Sequence, residues 1–164
     1  MAIRNIRTEE DEVLRKRCRE ITEMTPKLAT LIDDMLETMY EANGVGLAAP
    51  QVGILKRVVV IDVGDGPYIL MNPVIGETDG RRTGGGGCLG RPGKTATVTR
   101  PNYVKVRALG RDMKEYELEG TELLARAICH ECDHLDGVLY TDKAESPVMD
   151  TEEYYETYQA QDEE

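Results

Sequence analysis

The chain has 164 residues, 40% hydrophobic and 31% charged, which is the size and balance of one globular domain with one core. A formal net charge of −11 argues against a general nucleic-acid binder, which needs a basic surface to displace counterions. No apolar run approaches the roughly 20 residues that span a bilayer, and Met1-Ala2-Ile3-Arg4 opens without an apolar secretory stretch, so a cytoplasmic protein is expected. Phe and Trp are absent, so Leu, Ile, Val, Ala, Met and Tyr must build the core.

Thr25-Pro26 predicts a helix start, with Thr as N-cap and Pro in the first helical position. Leu28, Leu31, Ile32, Met35, Leu36 and Met39 follow at helical spacing, and Asn43-Gly44 stops the helix. The segment from Gly44 to Gly53 is small, apolar and turn-rich. Val58 to Ile61 predicts a buried strand, and Gly64-Asp65-Gly66-Pro67 turns the chain into a second strand, Tyr68 to Met71. Gly84 to Gly87 form a glycine run before Cys88. Tyr103 to Leu109 alternates as a strand, and Glu115 to Leu118 is expected to pair with it as a hairpin. A last helix begins near Thr121 and closes at Gly137.

The expected fold is α+β, with antiparallel β-sheets packed around a central helix. We assign residues 1–145 to a single catalytic domain and 146–164 to an acidic C-terminal tail or short helix. The solvated tail is the plainer expectation, although Tyr154, Tyr155 and Tyr158 leave room for a docked helix.

His130-Glu131-Cys132-Asp133-His134 is an H-E-x-x-H sequence on the last helix and contains both histidines of the chain. At about 100° per residue, His130 and His134 stand about 40° apart on one face, so two imidazoles can hold one metal ion. Glu131 lies about 60° round from His134, within reach of an activated water. A catalytic site of this kind needs a third protein ligand and an open position. Cys88 is the choice for the third, because the glycine run before it lets backbone approach a metal closely. Cys129 and Cys132 form a competing C-x-x-C. Cys132 points about 200° away from His130 and Cys129 about 100°, so Cys129 is expected to line a pocket wall and both to be buried thiols. With Cys18 the cysteines number four, but a cytosolic domain of this size does not need disulfides.

Three segments resemble the peptide deformylases: Gly44-Val45-Gly46-Leu47-Ala48-Ala49-Pro50-Gln51, Gly87-Cys88-Leu89, and His130 to His134. That family shows G-x-G-x-A-A-x-Q, E-G-C-L-S and H-E-x-D-H in the same order. Leu70-Met71-Asn72-Pro73 and Leu135 to Tyr140 are also similar, and the likeness runs to about Lys143. The resemblance implies Cys88, His130 and His134 as metal ligands, Glu131 as the acid/base, and Gln51 with the Leu89 N–H as oxyanion donors. It implies that Gly46 offers its backbone to the substrate, and that the metal is Fe2+, with Zn2+, Ni2+ or Co2+ also able to occupy the site. Gly86 and Gly90 stand where the family has Glu and Ser, and Cys129 where it commonly has Gln.

The implied substrate is a formyl-methionyl peptide or nascent chain, bound extended along Gly44, Val45 and Gly46, with Leu123 and Ala127 as walls of the methionine pocket. Proximity to the ribosome follows from that substrate. Direct nucleic-acid contact does not, because the tail is acidic, and no membrane partner is expected. A monomer is expected. Two rival readings are a metallopeptidase whose third ligand is Asp136, Asp142 or Glu145, and a deformylase relative that binds without turnover.

Overall fold

The computed structural model describes residues 2–8, 11–88 and 91–162. Helix α1 spans Pro26–Glu41, with the Thr25 hydroxyl accepting from the Leu28 N–H at 3.0 Å. Strands follow at β1 (Gly46–Ala48), β2 (Val58–Ile61), β3 (Tyr68–Asp79), β4 (Arg82–Cys88), β5 (Arg91–Arg100), β6 (Tyr103–Leu109) and β7 (Glu115–Thr121). Helix α2 covers Glu122–Leu135, β8 Met149–Asp150, and α3 Thr151–Asp162. A five-stranded sheet has the order β1-β2-β3-β6-β7 and a three-stranded sheet the order β4-β5-β8, all paired antiparallel.

The apolar run of β2 is explained by helices on both faces of the larger sheet. Val59 and Ile61 pack with Leu70, Val104 and Val106 against Ile128, Cys132 and Leu135 of α2. Val58 and Val60 pack with Met71 against Leu28, Leu31, Ile32, Met35 and Met39 of α1. Strand β6 sends Val104, Val106 and Ala108 inward, while its outward Lys105 and Arg107 pair with Glu117 and Glu115 of β7 at 3.2 and 2.7 Å.

Strand β3 runs past its expected end at Met71. Asn72 sits in the left-handed region at φ 49°, and the register shifts there, which absorbs Pro73 and lets pairing resume at Val74. The Asn72 amide donates to the Ile21 carbonyl and accepts from its N–H, both at 2.7 Å.

Both core helices end the same way. Asn43 and Gly137 take left-handed φ of 56° and 76°. Bonds from Gly44 N to Met39 O and from Val138 N to Asp133 O close the last turns. At Gly137 a side chain would lie 2.5 Å from the Arg15 carbonyl oxygen, so α2 stops one residue after its histidine turn by both conformation and packing.

The N-terminal segment is fastened to α1 through Asp34, whose carboxylate accepts from Ala2 N at 2.7 Å and Arg4 Nε at 2.9 Å. Burial raises the Asp34 pKa, but the Ala2 N–H and the Arg4 guanidinium outweigh it and hold the carboxyl below its usual 3.8. A depressed folded pKa means that this stabilisation is complete above pH 3.8 and lost as pH falls through the lower folded value. Denaturant midpoints measured from pH 5 to pH 2 should drop more steeply in the wild type than in Asp34→Asn; parallel curves would remove Asp34 from that role.

Within the acidic C-terminal segment Thr151–Asp162 form helix α3, the short helix rather than the solvated tail. Tyr154 is 1% exposed and its hydroxyl lies 3.0 Å from Thr97 Oγ1. Among the described residues, no helix is long and apolar enough to cross a membrane.

Candidate metal centre and active site

Two of the three expected ligands meet on α2. His134 is fully buried, and His130 is partly open to a cavity of about 490 Å³. Their Nε2 atoms face each other at 3.2 Å. Two imidazoles on one tetrahedral metal, with bonds of about 2.0–2.1 Å, would place those atoms roughly 3.3–3.4 Å apart. Burial, followed by the charge of Arg100, pushes the His134 pKa down to about 4. Burial, His134 and two arginines lower that of His130. Both rings are therefore neutral at pH 7, as metal ligation requires.

Glu131 completes the cluster, with its ligand atoms and those of the histidines all within 4.8 Å of one another. Its side chain is buried, and Oε1 has no hydrogen-bond partner among the described residues. Burial pushes its pKa up to about 8, against the pull of Arg100. An unpartnered carboxylate oxygen beside two converging imidazoles is a donor set that fits a divalent cation and the water it holds.

Cys88 ends β4, which carries it alongside β5, but its side chain lies outside the described residues, as does Leu89. The glycine run is a strand: Gly84, Gly85 and Gly86 pair with Val98, Thr97 and Ala96. Its missing side chains make room for neighbours on its own surface. A Cβ at Gly86 would lie 3.0 Å from Val98 Cγ2, and one at Gly85 3.0 Å from both Tyr154 and Tyr155.

Arg126, four residues before His130, holds this strand to α2. Its guanidinium donates to the carbonyls of Arg82, Gly84, Gly85 and Val98 at 3.2–3.3 Å. Arg100 ties the end of β5 to the same helix through Asp133 at 2.6 Å.

The opposite wall is Asn43, Gly44, Val45 and Gly46. Among the described residues, strand β1 lies at the edge of its sheet and pairs only with β2, which leaves its other edge to an extended peptide. Gly46 is required for closeness: a Cβ there would stand 2.5 Å from Glu131 Oε2. Leu123 and Ala127 both line the cavity, Leu123 at the rim with 51% exposure and Ala127 buried.

Gln51 is buried in the turn after β1 and is not among the side chains lining the cavity. Its Oε1 accepts from the Ala48 N–H at 2.9 Å, which fixes the orientation of the amide. Cys129 also differs from expectation. It packs in the core beneath the large sheet instead of on the cavity wall, because the face about 100° from His130 is the one α2 presses onto that sheet.

Two of the three carboxylates that a metallopeptidase could use are engaged elsewhere. Asp136 pairs with Arg57 at 2.9 Å, and Asp142 accepts from the Leu139 N–H at 2.9 Å. Among the described residues, the His130, Glu131 and His134 group is the cluster able to hold a metal. Sequence reasoning missed Arg100, Arg126, Lys94, Thr95, Tyr140, Thr151 and Tyr155 of the lining. Arg126 alone carried a signal, since it lies one turn before His130 on the same face.

The chain matches the family described as polypeptide deformylase over residues 3–149. It is 69% identical over 150 residues to a peptide deformylase of Agathobacter rectalis, covering 92% of this chain and 95% of that one. A peptide deformylase of Lachnoclostridium phytofermentans is 60% identical over 159 residues, with 95% and 98% covered. The crystal structure of peptide deformylase from Thermotoga maritima superposes with a TM-score of 0.85 at 41% identity, covering 90% of this chain and all of that one.

Proposed function

Because the chain belongs to the polypeptide deformylase family, hydrolases acting on N-formylmethionyl peptides, we propose that it removes the formyl group from the N-terminal methionine of newly made proteins and releases formate. The observation that carries this reading is the convergence of His130 Nε2, His134 Nε2 and the unpartnered Glu131 oxygen beside the open edge of β1.

Cys88, His130 and His134 would hold one divalent metal, Fe2+ in the native enzyme, with Zn2+, Ni2+ or Co2+ as substitutes. Such a metal supplies Lewis acidity, lowering the pKa of a water toward neutrality. Glu131 takes the proton of the attacking water, and the water oxygen bonds to the formyl carbon. The Gln51 amide nitrogen and the Leu89 N–H donate to the oxyanion, each such donor being worth about 3–4 kcal/mol. Glu131 then protonates the leaving nitrogen as the C–N bond breaks, giving formate and a free amine. Burial sets the Glu131 pKa at about 8, near the pH at which one group both takes and gives a proton.

The peptide lies extended along Gly44, Val45 and Gly46, with its methionine side chain between Leu123 and Ala127. Gly46→Ala is expected to push the Glu131 carboxylate from its place and cut kcat about 10–100-fold, the scale of losing a supporting contact at a metal site. A kcat within twofold of wild type would show that the carboxylate tolerates the methyl group. We place the enzyme in the cytoplasm as a monomer working near the ribosome, without nucleic-acid contact of its own, consistent with its net charge of −11.

The test is formate release from formyl-Met-Ala-Ser by anaerobically purified, iron-loaded protein, with a zinc-loaded sample beside it. Release is expected from both, with the iron form losing activity in air through oxidation at the thiolate site. Tight peptide binding without formate from either sample would favour the non-catalytic reading, which the glycines at 86 and 90 motivate.

A further inference from the structure

The active-site cavity has a wall that neither α2 nor β1 supplies. Lys94 and Thr95 of β5 and Thr151 and Tyr155 of α3 line it. At about 490 Å³ the cavity exceeds what formyl-methionine alone occupies, on the order of 200 Å³ for its ten non-hydrogen atoms at interior packing density. Space remains for the residues that follow.

Helix α3 is firmly seated on this wall. Strand β8 pairs with β5 through Lys94 with Asp150 and Thr95 with Met149. Thr151 Oγ1 lies 2.7 Å from Thr95 Oγ1, and Tyr154 is buried beneath. The Tyr155 ring stands edge-on to Tyr154, with centroids 5.3 Å apart, yet keeps 44% of its surface exposed. Gly85 is what admits it, since a Cβ there would lie 3.0 Å from the Tyr155 hydroxyl. A fixed, half-exposed tyrosine beside a peptide groove offers large apolar area at little entropic cost.

We propose that Tyr155 is a specificity-determining residue, giving an apolar side chain beyond the formyl-methionine a surface to lie against. This inference rests on the deformylase reading of the site. It makes the C-terminal helix part of the substrate groove, and it predicts a preference for longer peptides with an apolar third residue.

The test compares formyl-Met amide with formyl-Met-Ala-Leu in wild type, Tyr155→Ala and Tyr155→Phe. The alanine variant should raise KM for the tripeptide about 3–10-fold, leaving its kcat and the KM of the amide unchanged, while the phenylalanine variant behaves as wild type. Equal changes for both substrates, or none, would overturn the proposal. Calorimetric Kd values for both peptides in a Glu131→Gln background supply the same comparison with the substrate intact. If wild type releases formate from neither peptide, the deformylase reading fails and the Kd comparison still decides Tyr155. Should Tyr155→Ala not fold, a formyl-Met-Ala peptide ending in a benzophenone side chain can be photolysed on wild-type protein. No Lys or Arg lies between Ala144 and Glu164, so a label near Tyr155 appears in the tryptic fragment that begins at Ala144, and labelling confined to other fragments would reject the wall.

Discussion

Glu131→Gln is expected to lower kcat for formate release by about 10²–10⁴, the contribution of a positioned acid/base, with KM and metal content close to wild type. Glutamine keeps the size and planar shape of the side chain, so it fits the space left by the missing Cβ of Gly46, which would stand 2.5 Å from Oε2. What it loses is the ability to take a proton from water and return it to the leaving nitrogen. The group being replaced is buried, with Oε1 lacking a partner among the described residues, so no hydrogen-bond network collapses with it. The loss should therefore appear in kcat and not as unfolding. Kinetics with metal analysis on the same preparation check this, and a variant retaining more than a tenth of wild-type kcat would remove Glu131 from the proton transfers.

Where local pattern and tertiary packing agreed, the sequence could be read closely. Thr25-Pro26 and Asn43-Gly44 bracket α1 because each supplies a backbone need that is local: a cap for the Leu28 N–H and a left-handed residue at the helix end. The β-branched run of β2 and the alternation of β6 match their strands for the same reason. His130 and His134 converge because one helical turn separates them.

The glycine run gave no such signal. Four residues without side chains have no periodicity to read, and β4 is a strand because β5 and Arg126 satisfy its backbone from outside. Helix α3 was legible only as one of two alternatives, a short helix docked through its tyrosines or a solvated tail. Its buried Tyr154 finds its partner, Thr97, 57 residues earlier in the chain, and an acidic composition resembles a tail until that surface is present. Cys129 shows the limit of angular reasoning: about 100° from a ligand reads as a cavity wall or as core, and only the position of the sheet decides.

Removing the metal with a chelator is expected to bring formate release to the level of a protein-free blank, and adding back a divalent metal to restore it. His134→Ala should abolish release in the same way but should not recover on adding metal. The two manipulations differ because the first leaves the ligand geometry intact while the second deletes half of a pair whose nitrogens stand 3.2 Å apart. His134 is completely buried, so the substitution also opens a cavity, and its cost to stability must be separated from its cost to chemistry. Metal stoichiometry does this: a folded His134→Ala protein should hold far less than one ion per chain against a competing chelator, whereas Glu131→Gln should hold about one, since both imidazoles and the proposed Cys88 thiolate remain. Full stoichiometry in folded His134→Ala would place the metal elsewhere. Asp136 and Asp142 are then the carboxylates to release from Arg57 and Arg15, and the metallopeptidase reading would regain its third ligand.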